Sequence, residues 1–488
     1  MFKTLLLKEI HESILNFRFW LVSALCLLLI PFGLYIASKD YLSRLEEYKG
    51  EQEKFIIQTQ GKINGSTEIE GFFPPSPLSI LSSGFRDHLP SKVITSLDGF
   101  ARTEKKLQDS NLQSVLFGRI DFVFIVTNFL SLLALIFTFG AVSSECEQGT
   151  LKLLLSNQLP RWKLILAKIL GNYFVFLAPF IMSVIIGLLI VQWVAGVNFL
   201  ILPWLPDLLF IMFFTLLFLF MFFNLGIWAS VISNNTITSI VILLFIWIFF
   251  SLGIPRLCPM VAQLISPVKT DDAFRKDYQL LKQNIEDEHD KERGNLFKQL
   301  IKENNIEINW ENGFPNFYEI AEKKTNYTQL IGPVDNKYKT KLSLELGNLE
   351  RDYNQSKFHQ MAIASNLSRI SPVSSYTFLV TELSNTGILE YTNRQEAANK
   401  FQFRINQVIY SLYVYKKYVY EGLTTFGTEA KSGKWPTQHT SVPVMTEYNP
   451  VPFTMIIQKI WPDIILLIWY TIFFFTGALV SFLRFDVK

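Results

Sequence analysis

The chain has 488 residues; half are apolar and 18% are charged, and phenylalanine alone occurs 44 times. An average soluble protein carries roughly 25% charge spread along its length. Here six stretches (19–37, 120–142, 169–191, 208–232, 237–255 and 460–482) hold only two charged residues, Asp121 and Asp463, each near an end of its stretch. About 20 apolar residues span a bilayer core, so composition excludes a soluble enzyme, a disordered chain and a disulfide-stapled secreted domain.

A formal charge of +3 implies no acidic partner, and no basic patch interleaved with aromatics points to nucleic acid. Cys26, Cys146 and Cys258 fall in or between different spans, with no disulfide framework or metal-spaced pair. The first apolar run is too long for a signal-peptide core, and no small-x-small cleavage site follows Ile36-Ala37-Ser38, so it is expected to stay.

In chain order, residues 1–18 place Phe2, Leu5, Leu6, Ile10, Ile14 and Phe17 on one helical face and Lys3, Lys8, Glu9, Glu12 and Asn16 elsewhere. Such a helix lies along the headgroups, since Glu9 and Glu12 are costly in hydrocarbon. The first span, 19–37, leads to a loop, 38–119, that begins helix-like to about Glu53. Asn64-Gly65 then reads as a turn and Phe72-Phe73-Pro74-Pro75-Ser76-Pro77 as a rigid extended segment. The second span, 120–142, and third span, 169–191, flank a loop, 143–168, carrying Lys152, Arg161, Lys163 and Lys168. The next short loop, 192–207, carries no lysine or arginine, and the fourth and fifth spans, 208–232 and 237–255, follow.

Basic residues in short loops mark the cytoplasmic side. That places 143–168 and both termini in the cytoplasm, as Lys3, Lys8, Arg18, Arg484 and Lys488 agree; Lys39, Arg44 and Lys49 disagree, but in a long loop where the rule is weak. Most aqueous residues, 38–119 and 256–459, then face outward. The latter segment is long enough to pack as a domain. Residues 271–303 space Phe274, Tyr278, Leu281, Ile285, Leu296, Phe297 and Leu300 as a helical stripe behind a cap at Thr270. Helix is also expected near 340–370 and 395–422, with breaks at Ile370-Ser371-Pro372 and Asn385-Thr386-Gly387 and an irregular tail from 422 to 452 before the last span, 460–482. The expected fold is all-α and integral to the membrane: six transmembrane helices, a large, mostly helical extracytoplasmic domain and a smaller mixed extracytoplasmic loop.

No catalytic constellation stands out. Ser432-Gly433-Lys434-Trp435 has Thr428 where a phosphate loop needs its first Gly, and Trp435 where it needs Ser or Thr. Asp271-Asp272 has no second acidic cluster, and His11, His88, His289, His359 and His439 have no ligand spacing. Polar residues within the spans (Asn128, Asn172, Ser183, Thr215 and Asn224) suit helix–helix hydrogen bonds better than a proton or cation path. The chain is expected to be no enzyme, with no catalytic or metal-binding residue, and any work it does needs an outside source of energy.

In the loop, Glu145 and Glu147 suit a helix N-terminus, Leu151, Leu154 and Leu155 form one face, and Pro160 ends or bends the helix. Such a knob either docks in a partner's groove or lies on the membrane surface. The string Glu145-x-Glu147-x-Gly149-Thr150-Leu151, with Leu155, Ser156, Arg161 and Lys168 following, resembles the signature loop of type-2 ABC transporter permeases. Trp247 and Pro255 resemble that family's late Trp and Pro, whereas Gln158 and Ala167 stand where Pro and Gly are common. Pro75-Ser76-Pro77-Leu78-Ser79 and Ile370-Ser371-Pro372 look like the insertions of its gliding-motility-type subgroup.

The resemblance implies a permease subunit of an exporter or extruder, and the Phe-, Ile-, Lys- and Asn-rich usage points to a bacterial inner membrane. It would couple to a separate cytoplasmic ABC ATPase, which would bind the ATP and Mg, and would pair with a second permease, identical or paralogous. Glu145, Glu147, Gly149, Thr150, Leu151, Leu154 and Leu155 are the expected ATPase contacts, with Arg161 and Lys168 near the lipid headgroups. The main competing reading is a non-transporting mechanotransmitter acting through 256–459 on an envelope protein; the charge-free spans disfavour an ion-coupled carrier, and the lack of an acidic or nucleophilic cluster near a membrane boundary disfavours a lipid-processing enzyme.

Overall fold

The computed structural model describes residues 2–59, 69–95, 102–104, 120–151, 160–201, 204–233, 235–304, 310–311, 314–315, 327–425, 445 and 448–485. They form two compact units, Met1–Thr95 with Ala101–Cys258 and Asn366–Lys488, and Ser96–Phe100 with Pro259–Ser365.

The first unit contains the spans. Helix α1 (Phe2–Leu15) stops at Asn16, whose side chain accepts the Arg18 amide at 3.0 Å, and α2 (Phe17–Thr59) starts there. The second span opens with Phe122–Phe124, capped by Asp121, passes through a π-helical segment, Ile125–Leu130, and continues as α3 (Ser131–Thr138) and the short α4 (Ser143–Glu147). Helices α5 (Arg161–Ala195) and α6 (Leu205–Ile232) form the third and fourth spans. The fifth is α7 (Thr236–Ile248), a second π segment (Phe249–Gly253) and α8 (Ile254–Ile265). Among the described residues, six helical runs are long and apolar enough to cross a membrane, one over each expected stretch. Helix is the open-edge-free way to satisfy backbone groups in lipid.

Helix α6 lies at the centre, with Phe218, Leu219, Phe222 and Phe223 fully buried. Phe223 meets Phe176 and Phe137 edge-on or tilted at 5.0 and 6.1 Å. Small residues bring backbones close: a Cβ on Gly187 of α5 would strike Leu34 of α2, and one on Gly226 of α6 would strike Thr138. Of the span polar residues, Asn128, Asn172 and Thr215 bond across elements, to Ser251, Ser13 and Tyr376. Ser183 and Asn224 instead donate to carbonyls of their own helix. Trp247 donates its indole N–H to Ser131 at 2.9 Å.

After the fifth span, the remaining helices are α9 (Asp271–Asn304), α10 (Tyr327–Ser368), α11 (Pro372–Leu383), α12 (Ile388–Thr425) and α13 (Phe453–Leu483). The segment 256–459 does not pack as one separate domain, because residues from Asn366 onward belong with the spans. Helix α11 is the reason. Ser371 accepts the Val373 amide and donates to the carbonyl of Phe250 at 2.6 Å, and Pro372 takes the first helical position. The helix then buries Val373, Tyr376, Leu379, Val380 and Leu383 in the same core as the spans. Tyr376 stacks on Phe218 at 4.4 Å and shares a 2.7 Å hydrogen bond with Thr215. Thr215 lies about 15 Å along α6 from its start, so α11 re-enters the bundle. Arg369, just before it, clasps Asp463 at 2.7 and 3.0 Å, and Tyr470 donates to the Ile370 carbonyl at 2.6 Å. Asp463 and Tyr470 belong to the last span, α13.

The breaks expected at 370–372 and 385–387 are there: Asn385 takes a left-handed φ of 53°, and a Cβ on Gly387 would strike the Glu382 carboxylate. The first insertion carries helix to Thr59 and then an antiparallel sheet ordered β1 (Ile69–Phe72), β2 (Lys92–Thr95), β3 (Arg102–Glu104). The proline-rich stretch is extended at Ser76 and then turns 3-10 over Pro77–Ile80. Asn64-Gly65 lies outside the described residues. Ile69, Phe73 and Val93 share a small core with Ala397, Ala398, Phe401 and Ile405 of α12. Arg394 ties the two insertions together, pairing with Glu390 at 2.6 Å and donating to the carbonyls of Pro90 and Pro74.

The second unit is a helical pair. Thr270 accepts the Ala273 amide at 3.3 Å and so caps α9. Ile285 and Leu346 are buried between α9 and α10, and Phe274 stacks on Tyr353 at 4.1 Å. Lys337–Glu292, Lys341–Glu288 and Lys357–Asp271 line the outside at 2.5–2.9 Å. Exposed pairs of this kind contribute little, because water and salt screen them, so the seam holds the hairpin.

Candidate functional site

Helix α1, the end of α13 and the start of the loop after the second span gather at one end of the bundle. Helix α4 sits there in a turn of chain that leaves Val142 and Ser143 amides pointing at α6, and both donate to Ser230 Oγ at 3.0 Å. Glu145 lies in the first turn of α4, where the helix dipole favours a carboxylate. Gly149 ends the helix with a φ of 73°, which a side chain would strain, and its amide returns to the Cys146 carbonyl at 3.1 Å. Thr150 donates to the Glu145 carbonyl at 3.3 Å. Gln148, Gly149 and Thr150 are exposed, as is Glu147.

Lys168 is 2% exposed and lies about two turns inside α5, which begins at Arg161 rather than after the loop. Its ammonium pairs with Glu145 at 2.6 Å and with Glu9 of α1 at 3.1 Å. Next to this contact Ser13 of α1 donates to Asn172 at 2.6 Å, and a Cβ on Gly171 would come within 2.9 Å of Glu9 Cβ. Burial pushes the Glu9 carboxyl above the ordinary carboxylate range, against the pull of Lys168. Oxygens of Glu9, Glu12 and Glu145 lie within 4.8 Å of one another. The lysine ammonium bonds two of these carboxylates, so the group reads as an ion-pair hub. Glu147 accepts the Thr236 amide at 2.8 Å and its hydroxyl at 2.5 Å, capping α7. Arg161 donates to the Leu483 and Phe485 carbonyls, closing the end of α13.

Several expectations change here. Lys168 does not extend outward from the chain as expected: it is buried, held by two carboxylates of the chain itself. Leu151 is 1% exposed among Val142, Leu164 and Ile165, so it packs within the chain and offers no face to a partner. Glu9 is buried on the edge of α1 that periodicity assigns to solvent, while Leu7, Leu15 and Phe17 stay exposed. Leu154, Leu155 and Ser156 lie outside the described residues. The contacts made by Glu9, Ser13, Ser230 and Thr236 have no local signal in the sequence; in this group only Asn172 stands out there, as a polar residue inside a span.

Ser143, Glu145 and Glu147 of α4, with Val142 before it, thus connect through named groups to α6, α5 and α7, Lys168 carries the link on to α1, and Arg161 at the start of α5 connects to α13. A rigid pull on this loop has a bonded path to nearly every span. No curated protein matches the chain. The family model described as ABC-2 family transporter protein matches residues 3–487, nearly the full length, and the chain belongs to that family.

Proposed function

We propose that this chain is the permease subunit of an ATP-driven exporter or extruder, with the end that carries α4 and both termini in the cytoplasm of a bacterial inner membrane. Membership in the ABC-2 family implies an ABC ATPase partner. ATP and its Mg would belong to that subunit, this chain supplying no catalytic residue, and a second permease, identical or paralogous, would complete the path. The observation that carries the reading is the bonding of α4: Glu145 to Lys168, Glu147 to Thr236 and the Val142 and Ser143 amides to Ser230. Exposed Gln148, Gly149 and Thr150 are the surface offered to the ATPase.

The experiment is to substitute Gln148→Arg with Thr150→Arg and purify the complex through the tagged permease. The ATPase is expected to be lost while the permease keeps its thermal stability. A variant that still carries the ATPase, and still alters its turnover, would remove these residues from the contact. A second reading is mechanotransmission to an envelope protein. The helical pair of α9 and α10, with its charged outer faces, favours it. Substrate-stimulated ATPase activity in vesicles without any envelope protein speaks against that second role.

A further inference from the structure

Buried Glu–Lys–Glu clusters contribute little to stability, because desolvation offsets most of the attraction; well-packed apolar replacements are often neutral or better. The cluster of Glu9, Lys168 and Glu145 is therefore poorly accounted for as a stabilising device. What distinguishes it is position. Glu9 belongs to α1, Glu145 to α4 and Lys168 to α5, and Lys168 is the one group bonded to both others. Its ammonium has no freedom to leave either carboxylate without exposing an uncompensated charge. The contact is reinforced beside it by Ser13–Asn172 and by the close passage of Glu9 over Gly171. Helix α5 then continues to Ala195, about 40 Å beyond Lys168 along its axis, with Pro179 inside it.

We infer that Lys168 is a positioning residue that locks the coupling helix α4 and the N-terminal helix α1 onto α5, so that displacement of α4 by the ATPase reaches the far end of the bundle through α5. This rests on the permease reading above. The lock works by charge. Lys168→Arg preserves it, since a guanidinium reaches two carboxylates, whereas Lys168→Met, of similar length, does not.

The test uses the full chain with its co-purified ATPase, with Cys146 and Cys258 replaced by Ser and spin labels at Trp193→Cys and Met455→Cys, both exposed at the end of the bundle away from α4. Distances are measured without nucleotide and with ATP trapped. The parent and Lys168→Arg are expected to show a nucleotide-dependent shift between the labels. Lys168→Met strands the buried Glu9 and the half-buried Glu145 carboxylates and can unfold, so the decisive variant is Glu9→Gln with Lys168→Met and Glu145→Gln, which removes all three of these charges together. It is expected to keep its thermal stability and the parent amount of ATPase, and to lose the shift. A neutral variant that keeps the whole shift overturns the inference, as does one that loses the ATPase, because the cluster then serves docking. A parent that binds an ATPase but shows no shift with ATP overturns the permease reading itself, and this inference falls with it.

Discussion

Asp463 is one of two charged residues in the six apolar stretches, and it is 1% exposed. Its cation comes from outside the span, from Arg369, whose Nε and Nη2 donate to the two carboxylate oxygens at 2.7 and 3.0 Å. Arg369→Met leaves that carboxylate buried without its partner, a loss of about 3–5 kcal/mol. Asp463→Leu strands a cation that is 19% exposed and can turn toward water, so a smaller loss, about 1–3 kcal/mol, is expected. Removing both groups together returns stability to within roughly 1 kcal/mol of the parent. The cycle therefore carries a coupling of about 3 kcal/mol or more, opposite in sign to the sum of the single losses. For a chain of this size each kcal/mol moves the midpoint by roughly 1–2 °C. Thermal unfolding of the detergent-solubilised parent, both single variants and the double variant measures all four corners. A double variant that falls by the sum of the singles would show that the pair is not the bond that holds the re-entrant segment to the last span.

Other expectations follow from individual contacts. Tyr376→Phe keeps the ring on Phe218 and removes only the bond to Thr215, so a loss of about 0.5–1.5 kcal/mol is expected, whereas Tyr376→Ala opens a cavity and loses about 3–5 kcal/mol; thermal midpoints separate the two. Cysteines at Ser13 and Asn172 should cross-link readily, and adding Gly171→Val, whose Cβ meets Glu9, should abolish the cross-link; an undiminished yield would mean α1 does not dock on α5. Burial raises the Glu382 carboxyl above its ordinary range, opposed by the Ile388 and Leu389 amides and Lys459 and assisted by Asp463. A raised folded value favours the protonated form, so the contribution of Glu382 is present in acid and lost as pH rises through that value. Compared with Glu382→Gln over a pH series, the parent should lose ground toward neutrality; the reverse slope would refute the assignment.

The spans are legible because hydrocarbon leaves one solution for an uncharged run, and the insertion helices because their stripes repeat at helical spacing. The cap at Thr270 and the breaks at Ser371-Pro372 and Asn385 are legible from local side-chain chemistry. Helix α11 is not: its twelve residues are too short to span and carry Ser and Thr among the apolar positions, so nothing local marks it as buried. Its contacts lie on α13, on α6 and, through Ser371, at the π segment of the fifth span, all far away in sequence. Lys168 shows the same limit. Its partner Glu9 lies 159 residues away, and periodicity within α1 alone puts Glu9 on the wet side. The family motif locates Glu145, Glu147 and Lys168 without saying that two of them bind each other.

Helix α2 runs for 43 residues from Phe17 to Thr59, with Pro31 inside it, about 65 Å, roughly twice the 30 Å hydrocarbon thickness. Such a mast, rooted among lipids, carries its upper half into water as a continuation of the same rod, with Phe55 resting against Phe72 at its top. Leaning it by about 10° sweeps the tip through roughly 11 Å. Small rocking at the root is thereby magnified at the crown, and the residues mounted there travel farther than anything below them.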